Sequence, residues 1–345
     1  EIKFRYDLLN RSDQKLGELD TVISAEVSMS ALTDIKRSAR ITIKDDANIN
    51  WLSDRVQPFI MFKMPGGGWV EWPQGIFLLS SPRRQEQGGG IYREIECYDG
   101  LQVLLDDKVD SRYTIAQGTL YTLAVNTLLA SAGISKGNIT PSTATLQTAR
   151  EWEIGTPKLH IINELLREIN YTDLWCDEWG YYVATPYVLP IDRTIEYEYE
   201  DDELSVIYPG VTEELDLFNV PNKWVITQSN AETNPLVSVY TNSNPASITS
   251  TVSRGRTIVD FQTVDNIANQ NALDAYTARI AYNASQVYGY FEFETAIMPF
   301  HSYMDMLQIR YSKLNIDNRY VETDWTIPMV VGGKMRHKVR RVVQI

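Results

Sequence analysis

The stretch TPKLHIINELLREINYTDLWCDEWGYYVATP, residues 156–186, joins a helical pattern directly to a hairpin pattern. Thr156 is a favourable N-cap, and Pro157 suits the first helical position because its missing N–H needs no partner there. The apolar residues that follow recur at helical spacing: Leu159, Ile162, Leu166 and Ile169. Gly180 then separates two short aromatic runs, as in a tight β-hairpin. The stretch predicts a helix packed on a small sheet, which is an α+β unit.

A second helical pattern precedes this unit at residues 117–132. Its apolar residues are also spaced for one helix face: Leu120, Leu123, Ala124 and Leu128. Gly133 lies where a left-handed residue commonly ends a helix. Residues 106–193 are therefore predicted to form a helix-rich α+β insert that ends in a β-hairpin.

Strand patterns flank the insert on both sides. Before it, strands with a period of two are separated by glycine and proline. Residues 64–75 are predicted to be a long hairpin or flexible loop, and residues 83–94 a turn between strands. After it, a helical window at about 264–287 precedes further alternating strands. The predicted class is α+β, mainly β, with two β-barrel domains at 1–105 and 194–345. The helical window lies in the second of these barrel domains.

Composition and charge exclude several classes of protein. The 345 residues are 43 % hydrophobic and 22 % charged, which is typical of a globular protein, and no apolar run reaches the roughly 18 residues of a membrane span. We expect no stable membrane binding and no secretion signal. The net charge of −13 argues against a protein that wraps DNA by neutralising phosphates.

The cysteines and histidines show no metal-ligand spacing. Cys97 and Cys176 lie in aromatic, strand-like surroundings, where a buried structural thiol is the common case. His160, His301 and His337 are scattered along the chain. We therefore predict no metal site.

No enzyme motif emerges from the sequence. It contains no G-x-S-x-G elbow, no Walker loop and no H-E-x-x-H motif. The glycine runs at 66–69 and 88–91 lie in apparent hairpins, so they lack the helix N-terminus that phosphate binding requires. We expect no catalytic residues and no cofactor.

Two charged clusters are candidate interaction surfaces. The acidic run resembles a solvated strand edge, although a calcium site or a carboxylate pair for glycoside hydrolysis are alternatives; it comprises Glu196, Glu198, Glu200, Asp201 and Asp202. The basic cluster is either a solvated face or a contact for an acidic partner; it comprises Lys334, Arg336, Lys338, Arg340 and Arg341, with His337 among them.

The order of these patterns resembles the hub proteins of phage tails, namely the late control D family, the baseplate hub and the N-terminal hub module of tail-associated lysins. Residues 39–60, 75–85 and 95–109 are similar to the strands of the family's first barrel, and 156–186 to its central insert. Residues 283–309 resemble the start of its second barrel. There Pro299 and Asp305 match the family, and Met304 replaces its usual glycine.

The resemblance implies a non-enzymatic homotrimer that forms a ring at the tail tip or baseplate of a virion assembled in the host cytoplasm. It implies contacts with the distal tail protein or tube ring, the C-terminus of the tape-measure protein, and a fibre, spike or plug protein. DNA would only pass through, and an acidic lumen would not retain it. The alternatives are the adaptor of a tail-associated peptidoglycan-degrading enzyme and the hub of a phage-derived contractile injection device.

Overall fold

A computed structural model describes residues 1–45, 49–80, 83–203, 205–215, 218–229, 235–286, 289–343 and 345. The helices are α1 Leu101–Asp106, α2 Tyr121–Ser131, α3 Lys158–Glu168, α4 Thr251–Arg254 and α5 Gln270–Gln286. The first strands are β1 Ile2–Leu9, β2 Lys15–Glu18, β3 Val22–Ser30, β4 Arg37–Lys44, β5 Arg55–Lys63, β6 Trp69–Pro73, β7 Phe77–Leu79, β8 Arg83–Gln87 and β9 Gly90–Tyr98. The middle strands are β10 Tyr113–Ile115, β11 Gly137–Ile139, β12 Arg150–Trp152, β13 Trp175–Cys176 and β14 Tyr182–Ala184. The last strands are β15 Tyr197–Glu200, β16 Thr212–Leu215, β17 Lys223–Gln228, β18 Val237–Thr241, β19 Val259–Val264, β20 Gly289–Ala296, β21 Met306–Tyr311, β22 Ile316–Pro328 and β23 Lys334–Arg341.

One large sheet connects the two ends of the chain. Its hydrogen-bonded order is β16-β20-β23-β22-β3-β4-β9-β7-β5-β1-β2, with β6, β8, β15 and β21 paired at its sides. The link between the halves is the antiparallel pair of β22 with β3, in which Trp325 faces Met29. The mainly β, α+β class is confirmed. The division into two barrel domains and an insert stays a prediction.

Period-two alternation explains the two cores on this sheet. Every second residue along β4 is buried, including Ala39, Ile41 and Ile43, whereas Arg40 and Lys44 are exposed. One core lies under β3, β4 and β9 and includes Trp325 from the far end of the chain, and the other lies under β20 to β23. Apolar burial therefore occurs on one face of the sheet, and the other face is polar.

The helix and hairpin of 156–186 form as predicted, with one correction at the helix start. Leu159, Ile162 and Leu166 are fully buried, and Gly180 adopts φ +78° in the hairpin turn between β13 and β14. The N-cap, however, is Pro157. Thr156 instead donates a side-chain hydrogen bond to the Glu153 carbonyl at 2.8 Å, which holds it outside the helix.

The other two helices also differ from their predicted patterns. In α2 the buried side is centred on Val125, so Leu123 is 56 % exposed, although Gly133 ends the helix at φ +76° as predicted. The helix α5 begins only at Gln270, because Asn269 caps it by accepting from the Ala272 N–H at 2.9 Å, and Val264 belongs to β19. It packs against β17 and β18 of a separate three-stranded sheet, away from the large sheet.

The segments 64–75 and 83–94 both contain strands. Within 64–75 the chain forms β6, which pairs with β5 as in the predicted hairpin. Within 83–94 it forms all of β8 and the start of β9 around a short turn at Gly88 and Gly89, so this segment is more than a turn. The glycines indicated the turns correctly, but they obscured the strand alternation on either side of each turn. Among the described residues, no helix is long and apolar enough to cross a membrane.

Candidate functional site

The solvent side of the large sheet is a continuous polar surface that crosses both halves of the chain. Cross-strand pairs define three rows on it: Glu292–Lys338–Asp324–Ser30, Glu294–Arg336–Thr326–Ser28–Ser38–Tyr98, and Pro328–Glu26–Arg40–Glu96. All of these side chains are exposed or half-buried. We call this surface the polar sheet face.

Four cations on the polar sheet face are matched by carboxylates of the same chain. Four pairs join cations to carboxylates: Lys338–Glu292 at 3.3 Å, Arg336–Glu26 at 3.4 Å, Lys334–Glu294 at 3.4 Å and Arg40–Glu96 at 3.8 Å. Each such exposed pair stabilises the fold little. Together they leave no excess of positive charge among these eight residues.

The basic cluster of the sequence therefore lies mostly on this face. Lys334, Arg336 and Lys338 point outward from β23, and Arg340 follows on the same side. Arg341 donates to the Asn318 side chain at 2.9 Å. The two readings of the cluster, solvated face and partner contact, are both compatible with these positions, and its role as a contact surface stays a prediction.

The acidic run lies elsewhere and also has partners inside the chain. On β15, which runs parallel to β21, Glu198 and Glu200 accept from Arg310 at 3.0 and 3.4 Å. Glu196 accepts from the Met306 N–H at 2.6 Å. Asp201, the residue before Asp202, accepts from the N–H and from the hydroxyl of Ser312. Side chains along β15 alternate as predicted for a strand edge. The acidic run and the basic cluster lie in different places on the chain.

A single segment, residues 297–305, contacts all three parts of the chain. The Pro299 carbonyl accepts from Gln74 at 3.0 Å. The ring of Tyr303 stacks on Trp175 of the hairpin, with centroids 5.0 Å apart and planes 12° from parallel. The Ser302 hydroxyl accepts from the buried Arg37 at 3.1 Å. We call it the junction segment, because it fixes the first strands, the hairpin and the last strands against one another.

The junction segment also carries His301 into a buried network that the sequence did not reveal. The Glu322 carboxylate contacts Nδ1 of His301 and Nδ1 of His337, each at 2.6 Å, and all three side chains are fully buried. The outer ring nitrogens contact the hydroxyls of Tyr199, at 2.6 Å, and Thr295, at 2.8 Å. Only the pairing of β22 with β23 and the path of the junction segment unite residues so far apart.

Charge and burial oppose each other in this network. Burial disfavours the ionised form of Glu322, yet its attraction to both histidines and their hydrogen bonds lower its pKa to about 2. Burial likewise disfavours the charged form of His301, but Glu322 and Asp305 outweigh it and raise its pKa to about 9. For His337 burial prevails and the pKa falls. At neutral pH the network holds one buried carboxylate and one imidazolium.

Comparison with solved structures places this architecture among known folds. The tail protein from Neisseria meningitidis MC58 has a TM-score of 0.69 at 11 % identity, covering 99 % of this chain and 97 % of its own. The 43 kDa tail protein of prophage MuSo2 from Shewanella oneidensis has a TM-score of 0.65 at 12 % identity, covering 99 % of this chain and 98 % of its own. Prophage tail protein gp18 from Listeria monocytogenes EGD-e has a TM-score of 0.60 at 11 % identity, covering 97 % of this chain and 94 % of its own.

The chain has the fold of phage tail proteins. The resemblance to tail hub proteins drawn from the order of motifs is thereby confirmed at the level of the fold, over nearly the whole chain. No protein-family model and no curated protein matches the sequence. At these identities the fold is retained while few individual residues are shared, which explains why the order of motifs was more informative than any single motif.

One departure from the tail-hub motif has a visible structural consequence. Met304, at the position of the family's usual glycine, adopts φ +57° immediately before Asp305. A side chain in this left-handed region costs roughly 1–2 kcal/mol, because Cβ crowds the following carbonyl oxygen. Met304 is therefore a strained residue in a left-handed conformation.

Two variants at this position isolate the strain. Met304→Gly and Met304→Ala both remove the thioether side chain, but only alanine keeps the Cβ. We expect the glycine variant to be more stable than the alanine variant by about 1 kcal/mol in urea unfolding. An alanine variant equal to or more stable than the glycine variant would show that the turn at 304 is not left-handed in solution.

Proposed function

We propose that this protein is a structural, non-enzymatic hub of a phage tail tip or baseplate, and that three copies form a ring which extends the tail tube. The observation that supports this most directly is the shared fold, with TM-scores of 0.69 and 0.65 to two tail proteins over almost their full length. The single large sheet that runs through both halves of the chain gives each copy one broad, rigid wall. Three such walls would enclose a channel.

The polar sheet face suits the lining of that channel. A polyanion passes a surface most easily when no cation is free to bind its phosphates. On this face Arg40, Lys334, Arg336 and Lys338 each have a carboxylate within 3.8 Å, and serine and threonine hydroxyls lie between the charged ends of the rows. Low adhesion would then come from local charge pairing rather than from the net acidity that the sequence suggested.

The other partners follow from the same role. A tail tube ring or distal tail protein would contact one end of the ring, a fibre, spike or plug protein the other, and the tape-measure C-terminus the inside. The acidic run around Glu198 and the basic cluster around Arg336 are the candidate contact surfaces. The carboxylates of the acidic run pair with Arg310 and accept a hydrogen bond from the Ser312 N–H. These contacts support a structural role over the hydrolytic alternative.

The oligomeric state tests this proposal. We expect negative-stain electron microscopy of the purified chain, at high concentration and with the adjoining tail tube protein, to show threefold rings with a central pore. Light scattering on the same sample should give three times the mass of the 39.4 kDa chain. Monomers that persist with the tube protein present would contradict the hub ring.

A further inference from the structure

The buried cluster of His301, His337 and Glu322 has the composition of a metal site. One donor atom from each residue lies within 4.8 Å of the others, and all three side chains are inaccessible to solvent. Two imidazoles and a carboxylate are ligands that zinc and similar divalent ions prefer. The three residues come from the junction segment, β22 and β23, so the set is rigidly held by the sheet.

The surroundings of His337 fix its ring in the form that a metal requires. The Thr295 hydroxyl has one proton and lies 2.7 Å from the Ala296 carbonyl, to which it donates. It must then accept from the Nε2–H of His337 at 2.8 Å. In that tautomer the lone pair of Nδ1 faces the Glu322 carboxylate at 2.6 Å. A proton shared between these two atoms makes that short contact favourable, and so does a bound metal cation.

His301 is prepared in the same way. Its Nε2 contacts the Tyr199 hydroxyl at 2.6 Å, and its Nδ1 faces the same Glu322 carboxylate. Ligating histidines almost always give their second ring N–H to such an outer partner, which orients the ring and increases its basicity. Tyr199 and Thr295 are thus matched outer partners of two inward-facing nitrogens.

A further carboxylate, Asp305, lies beside His301 at the edge of this cluster. Oδ2 of the buried Asp305 lies 3.4 Å from Nδ1 of His301, and the Ser302 N–H orients that carboxylate at 2.8 Å. Donors around tetrahedral zinc are about 3.3 Å apart when the bonds are about 2.0 Å long. The Asp305 spacing already fits. The two 2.6 Å contacts of Glu322 have to lengthen by about 0.7 Å when an ion binds between them.

We propose that His301, His337 and Glu322 bind one divalent transition-metal ion of the zinc class, with Asp305 as the nearest further carboxylate and Tyr199 and Thr295 as outer partners. The three ligands are fully buried, so the ion would have a structural role. It would join the junction segment to β22 and β23, and through that segment hold the first strands and the hairpin in place.

Cobalt(II) is the probe, because its visible spectrum reports tetrahedral coordination directly. The full chain, carrying no polyhistidine tag, is stripped with a chelator, titrated with cobalt and dialysed. We expect about one ion per chain with the intense absorption of a four-coordinate site. Glu322→Gln should lose this signal, and His160→Gln should keep it, since His160 is the exposed histidine of the chain.

Tyr199→Phe separates ligation from folding, because it keeps every ligand and removes only one outer partner. We expect its cobalt affinity to fall ten- to a hundredfold. If Glu322→Gln does not fold, the wild-type spectrum and the Tyr199→Phe titration decide the question. Cobalt retention no greater in the wild type than in Glu322→Gln, or an Nδ1–H on both rings in nitrogen-15 spectra with excess zinc, would overturn the proposal in favour of a hydrogen-bond network alone.

Discussion

Replacing Arg37 by alanine is expected to destabilise the fold by about 3–5 kcal/mol, the cost typical of removing one partner from a buried charged network. Arg37 is 1 % exposed and lies at the point where the three parts of the chain meet. Its guanidinium donates to the Gln74 carbonyl at 3.1 Å and to the Ser302 hydroxyl at 3.1 Å, and it lies 3.5 Å from Glu178 of the hairpin.

The size of this effect follows from what the substitution leaves behind. Asp99, next to Arg37, is buried, and burial raises its pKa to about 6 even with the arginine present. Without the guanidinium, Asp99 and Asp305 lose the buried positive charge that offsets their desolvation. Lysine should not rescue the variant, because a single ammonium cannot reach the hairpin and the junction segment together.

Urea unfolding followed by tryptophan fluorescence measures the loss, and Arg40→Ala is the matched control. Arg40 lies three residues further along β4 on the opposite face, and its side chain is 62 % exposed in a 3.8 Å pair with Glu96. Removing it should cost less than about 1 kcal/mol. Equal losses for the two variants would mean that Arg37 does not connect the three parts as described.

The contrast between the insert and the buried network shows which features a sequence can predict. The helix α3 and the hairpin at Gly180 depend on neighbours within a few residues, so helical spacing and a glycine turn were sufficient. The errors at Thr156 and Val264 concern element ends, where one capping hydrogen bond moved the boundary. Local patterns predict elements well and their ends less well.

The candidate sites depend on distant partners, and there the sequence was less informative. His301 and His337 looked scattered because Glu322, which unites them, lies on a third element. The alternation of Glu198 and Glu200 predicted a strand edge correctly. Arg310, which pairs with both, became identifiable only through the parallel register of β15 and β21. Strand register was the missing information.

Reversing three charges on the polar sheet face should have the largest effect on function. The change Glu26→Lys, Glu94→Lys and Glu96→Lys replaces the carboxylates paired with Arg336 and Arg40, and Glu94, which is exposed on the same side of β9 as Glu96. It leaves those cations unpaired and adds three more, and it raises the net charge of the chain from −13 to −7, since each substitution adds two units. Free cations bind phosphates and release counterions, so DNA should adhere to the wall.

Tail particles assembled with this variant should form normally and release DNA at least about tenfold more slowly at low salt, with the difference shrinking as salt is added. The control is Asp110→Lys, Glu151→Lys and Glu153→Lys, which gives the same net charge of −7 through three exposed residues away from the sheet. Release slowed by both variants would assign the effect to net charge. Normal release with the wall variant would mean that the polar sheet face does not line the channel. Slow release confined to the wall variant would identify matched charge on β3 and β9 as the property that lets DNA pass.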